Sequence, residues 1–416
     1  MLEKINAVVW AIAMALILLA SLYFTVYLNF PQYKIKSLFS SLKNKSSIKK
    51  LSLSLAGRIG VGSISGIALA IHLSGPGTIF WMWVTAFITA SLAYAETILS
   101  LKFQKKEKEI HGGPFYYISE GLKKTKLAKF YALILLISYI IGFMPIQTNT
   151  ITKAISSFIT VDKVILGVVI STVIFVVIKG GIKKIRKISN IIIPVLTIFY
   201  IGVTMFSTVK NFEATKISFI NIINSAFQLK PFLTSFIPMV IVGMQRCIFS
   251  NEAGIGIGTI AACSSEEKNP KKCANIQILG IYFTTLIICT STAIIILSSN
   301  YETLNLVNPN GIEITLSAFD YHFPNNGKLL LIILITLFSI STILTGHYYC
   351  EVCVRFLNKK IPLFIVKFST VISVFLGIFT SPSIIWKLVD VMVAIIAIIN
   401  TTTLLKLKHQ IKCCPK

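Results

Sequence analysis

Gly60, Val61, Gly62, Ser63 and Ser65, in the run "AGRIGVGSISG" (residues 56–66), include no acid, thiol or imidazole suited to covalent chemistry. What they offer is their backbone. Each glycine weakens a helix by about 1 kcal/mol relative to alanine, so a cluster lets the chain unwind and frees N–H and C=O groups. Freed amides at the start of a half-helix suit a carboxylate, while freed carbonyls and hydroxyls suit a small cation. A second run, "CIFSNEAGIGIGTIAACS", repeats the pattern, with Gly254, Gly256 and Gly258 answering Gly60, Gly62 and Gly66. Small residues at this spacing also permit plain close packing of helices. Two interruptions at matching positions favour the binding role.

The elements that must hold these residues are apolar throughout. The chain has 416 residues, of which 55% are hydrophobic and 13% charged, and a mean hydropathy of +0.79. Such a composition belongs in a bilayer. The net charge of +25 does not indicate a nucleic-acid partner, because the lysines fall in short clusters between long apolar runs. About 20 apolar residues cross a hydrocarbon core. Eleven candidate runs lie near residues 5–28, 51–73, 77–101, 130–150, 164–178, 189–209, 232–263, 276–298, 329–350, 361–380 and 384–405. The first is too long for a signal-peptide core and lacks a small-residue cleavage pattern, so it counts as a span.

Most of the 40 Lys and Arg residues sit in alternate connections, at 29–50, 102–129, 179–187, 264–273, 355–360 and 406–416. That asymmetry places the N-terminus outside and the C-terminus in the cytoplasm. With residues 1–50 set aside as an extra span and basic loop, ten spans divide into two sets of five, 51–210 and 232–405. An odd repeat number forces them into opposite orientation. Residues 211–231 read as an interfacial helix, and 406–416 as a basic tail. The expected fold is all-α, polytopic, with eleven transmembrane helices in an inverted five-plus-five arrangement.

Other chemistries find little support. The eight cysteines imply no disulfide framework, and Cys350 with Cys353 has no second pair to complete a metal site. There is no nucleotide-binding motif and no nucleophile with a plausible histidine base, so an enzyme is not expected. Trp81 and Trp83 read as interfacial anchors, and His72 and His347 as ordinary satisfied polar residues.

The stretches "GVGSISGIALAIHLSGPGTIFWMWVTAFITASLAYAE", "GGPFYYI" and "RCIFSNEAGIGIGTIA", with "KGGIKKIRKISNIIIP", "STILTGHYYCE" and "GFMPIQTNT", resemble the alanine or glycine:cation symporter family. The likeness runs in order from about residue 25 to 405. It implies the leucine-transporter-like fold of the amino acid, polyamine and organocation superfamily, and uptake of a small neutral amino acid with Na+ or H+ across a bacterial plasma membrane. No other cofactor is implied.

The same resemblance places the family's unwound segment on Gly60 to Ser63 and its substrate-site glutamine on Gln147, with Met144 one turn earlier. Ser65, Ser250, Asn251, Gly254 and Gly346 join the expected substrate site. Ser341 and Thr342 match hydroxyls at the sodium position, and Glu252 and Asp390 match family acids. Three departures stand out: Ser63 replaces an asparagine, Gly346 replaces a tryptophan and so enlarges the pocket or leaves it incompletely lined, and Arg58 replaces a small residue.

An arginine inside a span costs about 2.5–3.5 kcal/mol on insertion scales and calls for a partner. Three readings of Arg58 stand open: a structural pair with Glu252, Glu96 or Asp390; a guanidinium in place of the sodium ion, giving Na+-independent transport or exchange; or a homologue with little transport. A membrane sensor and a passive pore are the rival classes. Arg246 is expected to meet Glu252 or helix-end carbonyls, and Glu96 either to pair with Lys102 or Arg58 or to bind a ligand. "HGGPFYYISEG" (111–121) is expected to form a turn and short helix at the cytoplasmic mouth.

Overall fold

The structure is a computed structural model that describes residues 2–106, 110–228, 235–264, 269–299 and 311–412. Cys413, Cys414 and the first residues of the run at 232 lie outside the described set. The helices in chain order are α1 (Leu2–Tyr27), α2 (Ile35–Ser40), α3 (Lys45–Arg58), α4 (Ser65–Ser74), α5 (Thr78–Lys102), α6 (Pro114–Tyr116), α7 (Thr125–Ile137), α8 (Met144–Ser156), α9 (Lys163–Ile178) and α10 (Gly181–Lys210). They continue with α11 (Phe212–Ala226), α12 (Ile237–Asn251), α13 (Gly258–Cys263), α14 (Pro270–Tyr282), α15 (Thr290–Leu297), α16 (Ile312–His322), α17 (Gly327–Leu357), α18 (Leu363–Gly377), α19 (Pro382–Lys406) and α20 (Lys408–Lys412). Wider π-helical turns at Ser138–Phe143 and Phe283–Cys289 join α7 to α8 and α14 to α15 into the rods Thr125–Ser156 and Pro270–Leu297.

The all-α expectation needs one small correction. Lys105–Lys106 pairs antiparallel with Ile110–His111, a two-residue ladder at the end of α5. It leads into α6 and a π-turn at Tyr117–Gly121.

Hydrophobic spacing explains how α1 sits. Trp10, Ala13, Ile17, Ala20 and Phe24 recur at three- and four-residue intervals and are buried against α5 and α19. Val8, Ile12, Leu19, Leu22 and Val26 lie on the outside and are exposed. An apolar outer face on a helix that already buries an apolar inner one is what a lipid environment requires.

Every one of the eleven apolar runs contains helix, yet among the described residues length and composition alone identify seven spanning helices, and eight if α3 and α4 form one span bent by 76°. The difference has two causes. Helices α9 and α18 hold 16 and 15 residues, short of the ~20 that cross a bilayer unaided. The run at 232–263 is cut into α12 and α13, neither long enough by itself. The protein is thus a multi-pass, helical membrane protein with its two glycine runs at helix breaks.

Candidate functional site

The chain leaves the helix at Arg58, passes through an extended Ile59 and Gly60 and a single 3-10 turn at Val61–Ser63, and re-enters helix at Ser65. The freed groups meet polar side chains from distant elements. The Val61 amide donates to Gln147 Oε1 of α8 at 3.1 Å. The Thr342 hydroxyl of α17 donates toward the carbonyls of Ala56 (3.2 Å) and Ile59 (3.1 Å), besides its own Phe338 carbonyl. Ser341 Oγ beside it is buried without a hydrogen-bond partner. Ser63 folds back, its hydroxyl donating to the Gly60 carbonyl at 3.1 Å, while its own carbonyl accepts from Thr292 at 2.9 Å.

Space here is tight, which fixes why glycine is needed. A Cβ on Gly60 would stand 2.6 Å from Thr342 Oγ1 and 3.0 Å from Gln147 Oε1. One on Gly62 would stand 2.9 Å from the Phe249 ring. That ring stacks on Phe143 at 5.1 Å and touches Trp386 at 4.7 Å, so three aromatic rings roof the segment. At Gly346, where an enlarged pocket was anticipated, the space is filled: an added Cβ would lie 2.6 Å from Tyr139 and 3.6 Å from Met144. Ser65 lies against the start of α16, since a Cβ on Gly311 would meet the Ser65 carbonyl.

The second break spans the residues between Asn251 and Gly258. Glu252, Gly254 and Gly256 all adopt positive φ (59°, 83° and 78°), which stops α12 and turns the chain. Asn251 Oδ1 accepts the Ala253 amide at 3.0 Å, and Ser250 turns toward Cys289. The Gly254 carbonyl accepts from Asn400 Nδ2 (2.9 Å), with Thr401 at 3.4 Å. Gly60, Val61, Gly62, Ser63, Gln147 and Thr342 therefore converge. Met144 and Gly346 lie a layer away around Tyr139, and Gly254 faces Ile17 and Leu92.

The buried charges find definite partners. Arg58 donates to the Gln277 side chain (2.9 Å) and backbone (3.2 Å) on α14, and its Nε lies 3.9 Å from Glu252. Tyr139 donates to the other Glu252 oxygen at 3.2 Å. Of the three acids considered for Arg58, Glu252 is the one it pairs with, and Gln277 is a partner that the sequence did not suggest. Arg246 binds Asp390 of α19 at 3.1 Å rather than Glu252 or a helix end. Its guanidinium also covers Trp386 at 4.7 Å. Glu96 pairs with neither Lys102 nor Arg58: Asn400 donates to it at 2.7 Å, and the amides of Gly254 and Gly256 face it. Tyr117 closes this cluster through Asn400. Trp81 and Trp83 donate to Ala226 and Thr290.

Gln277, Asn400, Tyr139 and the roof of Phe143, Phe249 and Trp386 are thus site elements missed by sequence reasoning. The amides carried a signal, since Gln277 and Asn400 lie in apolar helices where an unpaired amide is costly. The aromatics carried none.

Helices broken inside an apolar bundle, with freed amides and carbonyls met by buried polar side chains, are the build of a secondary transporter and not of an enzyme. The chain belongs to the sodium:alanine symporter family, whose profile matches residues 1–414. It is 33% identical to the sodium/alanine symporter AgcS of Methanococcus maripaludis, over 98% of this chain and 94% of that protein. It is 31% identical to the amino-acid carrier protein AlsT of Bacillus subtilis (94% and 86% covered), and 33% identical to that organism's probable sodium/glutamine symporter GlnT (95% and 85%). Among solved structures, the fold is similar to that of a Na+-coupled sialic acid symporter, with TM-score 0.53 and 15% identity over 97% of this chain and 82% of that one. A manganese transporter of Eremococcus coleocola gives TM-score 0.56 and 10% identity over 85% and 76%.

Proposed function

We propose that the chain imports a small neutral amino acid, alanine or glycine, together with Na+, by alternating access across the plasma membrane. One observation carries this reading: within six residues of one broken helix, Val61 presents an amide to Gln147 while Ala56 and Ile59 present carbonyls to the Thr342 hydroxyl. The substrate carboxylate would take the amides from Gly60 to Ser65, displacing the Gln147 oxygen. Gln147 would then turn to the ammonium group. The Phe249, Phe143 and Trp386 rings beside the segment support a small side chain, a methyl group or a hydrogen.

Na+ requires hard oxygen donors. The Ala56 and Ile59 carbonyls, Thr342 Oγ1 and the unpartnered Ser341 Oγ offer them, and the orphaned hydroxyl supports a fit. Arg58 favours this reading over the guanidinium-for-sodium alternative. Its side chain is engaged on Gln277 of α14 and Glu252, while the Ala56 and Ile59 carbonyls are met from α17. The eleven helical runs would cross as two inverted sets of five plus α1, with the N-terminus outside. The membrane halves would rock around the two breaks.

Uptake of labelled alanine into proteoliposomes tests the proposal, with Na+ or choline, for the parent and Arg58→Thr. Saturable uptake that excess glycine blocks and choline abolishes is the expected result. Uptake undiminished in choline would overturn Na+ coupling, and binding without flux would overturn transport.

A further inference from the structure

We propose that a cavity between the end of α1, α5, the start of α14 and α20 binds the phosphate-bearing headgroup of an anionic phospholipid. The inference is independent of the transported solute and rests only on membrane insertion. The cavity measures about 330 Å³, and its lining includes Lys34, Lys271 and Lys412 together with Ser37, Tyr94 and Asn275. Among the described residues, no carboxylate lies within ion-pair distance of any of these three lysines. Three cations around one concavity want an anion.

The walls are built, not incidental. Asn275 is buried and donates to the Ser37 hydroxyl (3.1 Å), the Ser37 carbonyl (3.3 Å) and Ser41 Oγ (3.1 Å), which ties α2 to α14. The turn after α1 is fixed by Asn29 and Phe30 at φ 56° and 54°, with the Phe30 amide on the Thr25 carbonyl at 2.7 Å. Tyr282 donates to the Gln32 carbonyl at 2.9 Å, holding that turn against α14. At the rim, Lys412 lies over the Tyr27 ring and Lys408 over Tyr23, each at 5.2 Å, so α20 is held along α1 with its charge at the opening.

What decides for a lipid rather than free phosphate is the surface beside the cavity. Leu19, Leu22 and Val26 form an exposed apolar stripe down α1 that ends at the cavity mouth, and Phe30, Tyr33, Ile35 and Phe39 beyond it are exposed as well. With α1 crossing a bilayer, the cavity at its end would lie at headgroup depth, the apolar α1 surface facing acyl chains and the basic residues facing the phosphate. A basic pocket between helices at the lysine-rich face of a membrane protein has the chemistry for such a headgroup.

The test is binding of phosphatidylglycerol to the purified full chain in neutral detergent, read by native mass spectrometry, beside phosphatidylcholine and inorganic phosphate. The variants are K34Q/K271Q/K412Q and, with the same loss of charge elsewhere, K183Q/K184Q/K187Q. A lysine near an anionic surface contributes roughly fivefold in affinity, so the first variant should bind phosphatidylglycerol about a hundredfold more weakly while the second binds as the parent does. Equal weakening of both variants, or none, would overturn the site. Displacement of the lipid by inorganic phosphate at equal concentration would overturn the lipid assignment. A photoactivatable phosphatidylglycerol on the parent chain guards against misfolded variants: cross-links should map to Tyr27–Ser37 and Tyr94–Ile98, and labels confined elsewhere would refute the proposal.

Discussion

Arg58 and Glu252 are almost wholly enclosed, so neither charge can be left alone cheaply. Removing one partner of a buried pair costs about 3–5 kcal/mol, most of it from the uncompensated charge that remains. Arg58→Met should therefore lower the melting temperature markedly in detergent, and Glu252→Gln should do so too. The double variant should recover most of the loss, and additive losses in a double-mutant cycle would show the two do not interact. Gly60→Ala tests the site itself. Its Cβ would crowd Thr342 Oγ1 and Gln147 Oε1, so it should abolish uptake while leaving expression and membrane insertion at parent levels. Retained uptake would mean the segment is not packed as described. At this scale the sequence showed which residues carry charge and which could free a backbone group. It offered Glu252 as one of three acids for Arg58 but not the amide partners: Gln277 reaches Arg58 from α14 and Asn400 reaches Glu96 from α19, hundreds of residues along the chain, and only the packing of those helices brings them together.

The two breaks were legible as elements because clustered glycines weaken a helix, and at the second break two of them also adopt a backbone conformation that favours glycine. At the second break this can be measured. Gly254 and Gly256 have φ near +80°, a region that costs other residues about 1–2 kcal/mol. An added Cβ at Gly254 meets only ordinary contacts at 3.5 Å, whereas at Gly256 it would press on Pro114 at 2.5 Å and approach Asn400 Oδ1 at 3.1 Å. Gly254→Ala should thus lose about 1–2 kcal/mol of stability and Gly256→Ala clearly more, compared by thermal melting of the purified proteins. Equal losses would mean that the Pro114 contact yields freely. The π-turns at "SYIIGF" and "FTTLIIC" escaped sequence reading, since their apolar spacing matches an ordinary helix. Span length was legible in part: the run at 164–178 is already as short as α9, whereas the run at 361–380 overshoots α18, which is only about four turns long.

For the whole molecule, the two buried clusters lie at opposite ends of one helix. Asp390 and Asn400 are ten residues apart on α19, about 15 Å along its axis. Asp390 holds Arg246 beneath Trp386 near the start of α19, and Asn400 holds Glu96 and Tyr117 near the lysine-rich end. The Asn400 cluster grips the second break directly through the Gly254 carbonyl, and the Arg246 cluster meets the first through the Trp386 and Phe249 rings beside Gly62 and Gly66. The Arg246 cluster is the looser of the two, because among the described residues Arg246 Nε and Nη1 have no hydrogen-bond partner and Asp390 supplies its one ion pair. Removing that pair with Asp390→Asn should shift the population toward a form open on the side away from the lysine-rich loops. Buried Cys247 and Cys289 supply native reporters, Cys289 being 3.3 Å from the Ser250 hydroxyl. In right-side-out membranes the parent should resist a membrane-impermeant maleimide at both positions, while Asp390→Asn should react severalfold faster, with the modified cysteine located by peptide mapping. Saturating alanine should slow that reaction again if closure follows substrate. Identical labelling of parent and variant would show that the arginine–aspartate pair does not hold this face shut, and the closure would then have to be assigned to the aromatic rings of Phe249, Phe143 and Trp386 alone.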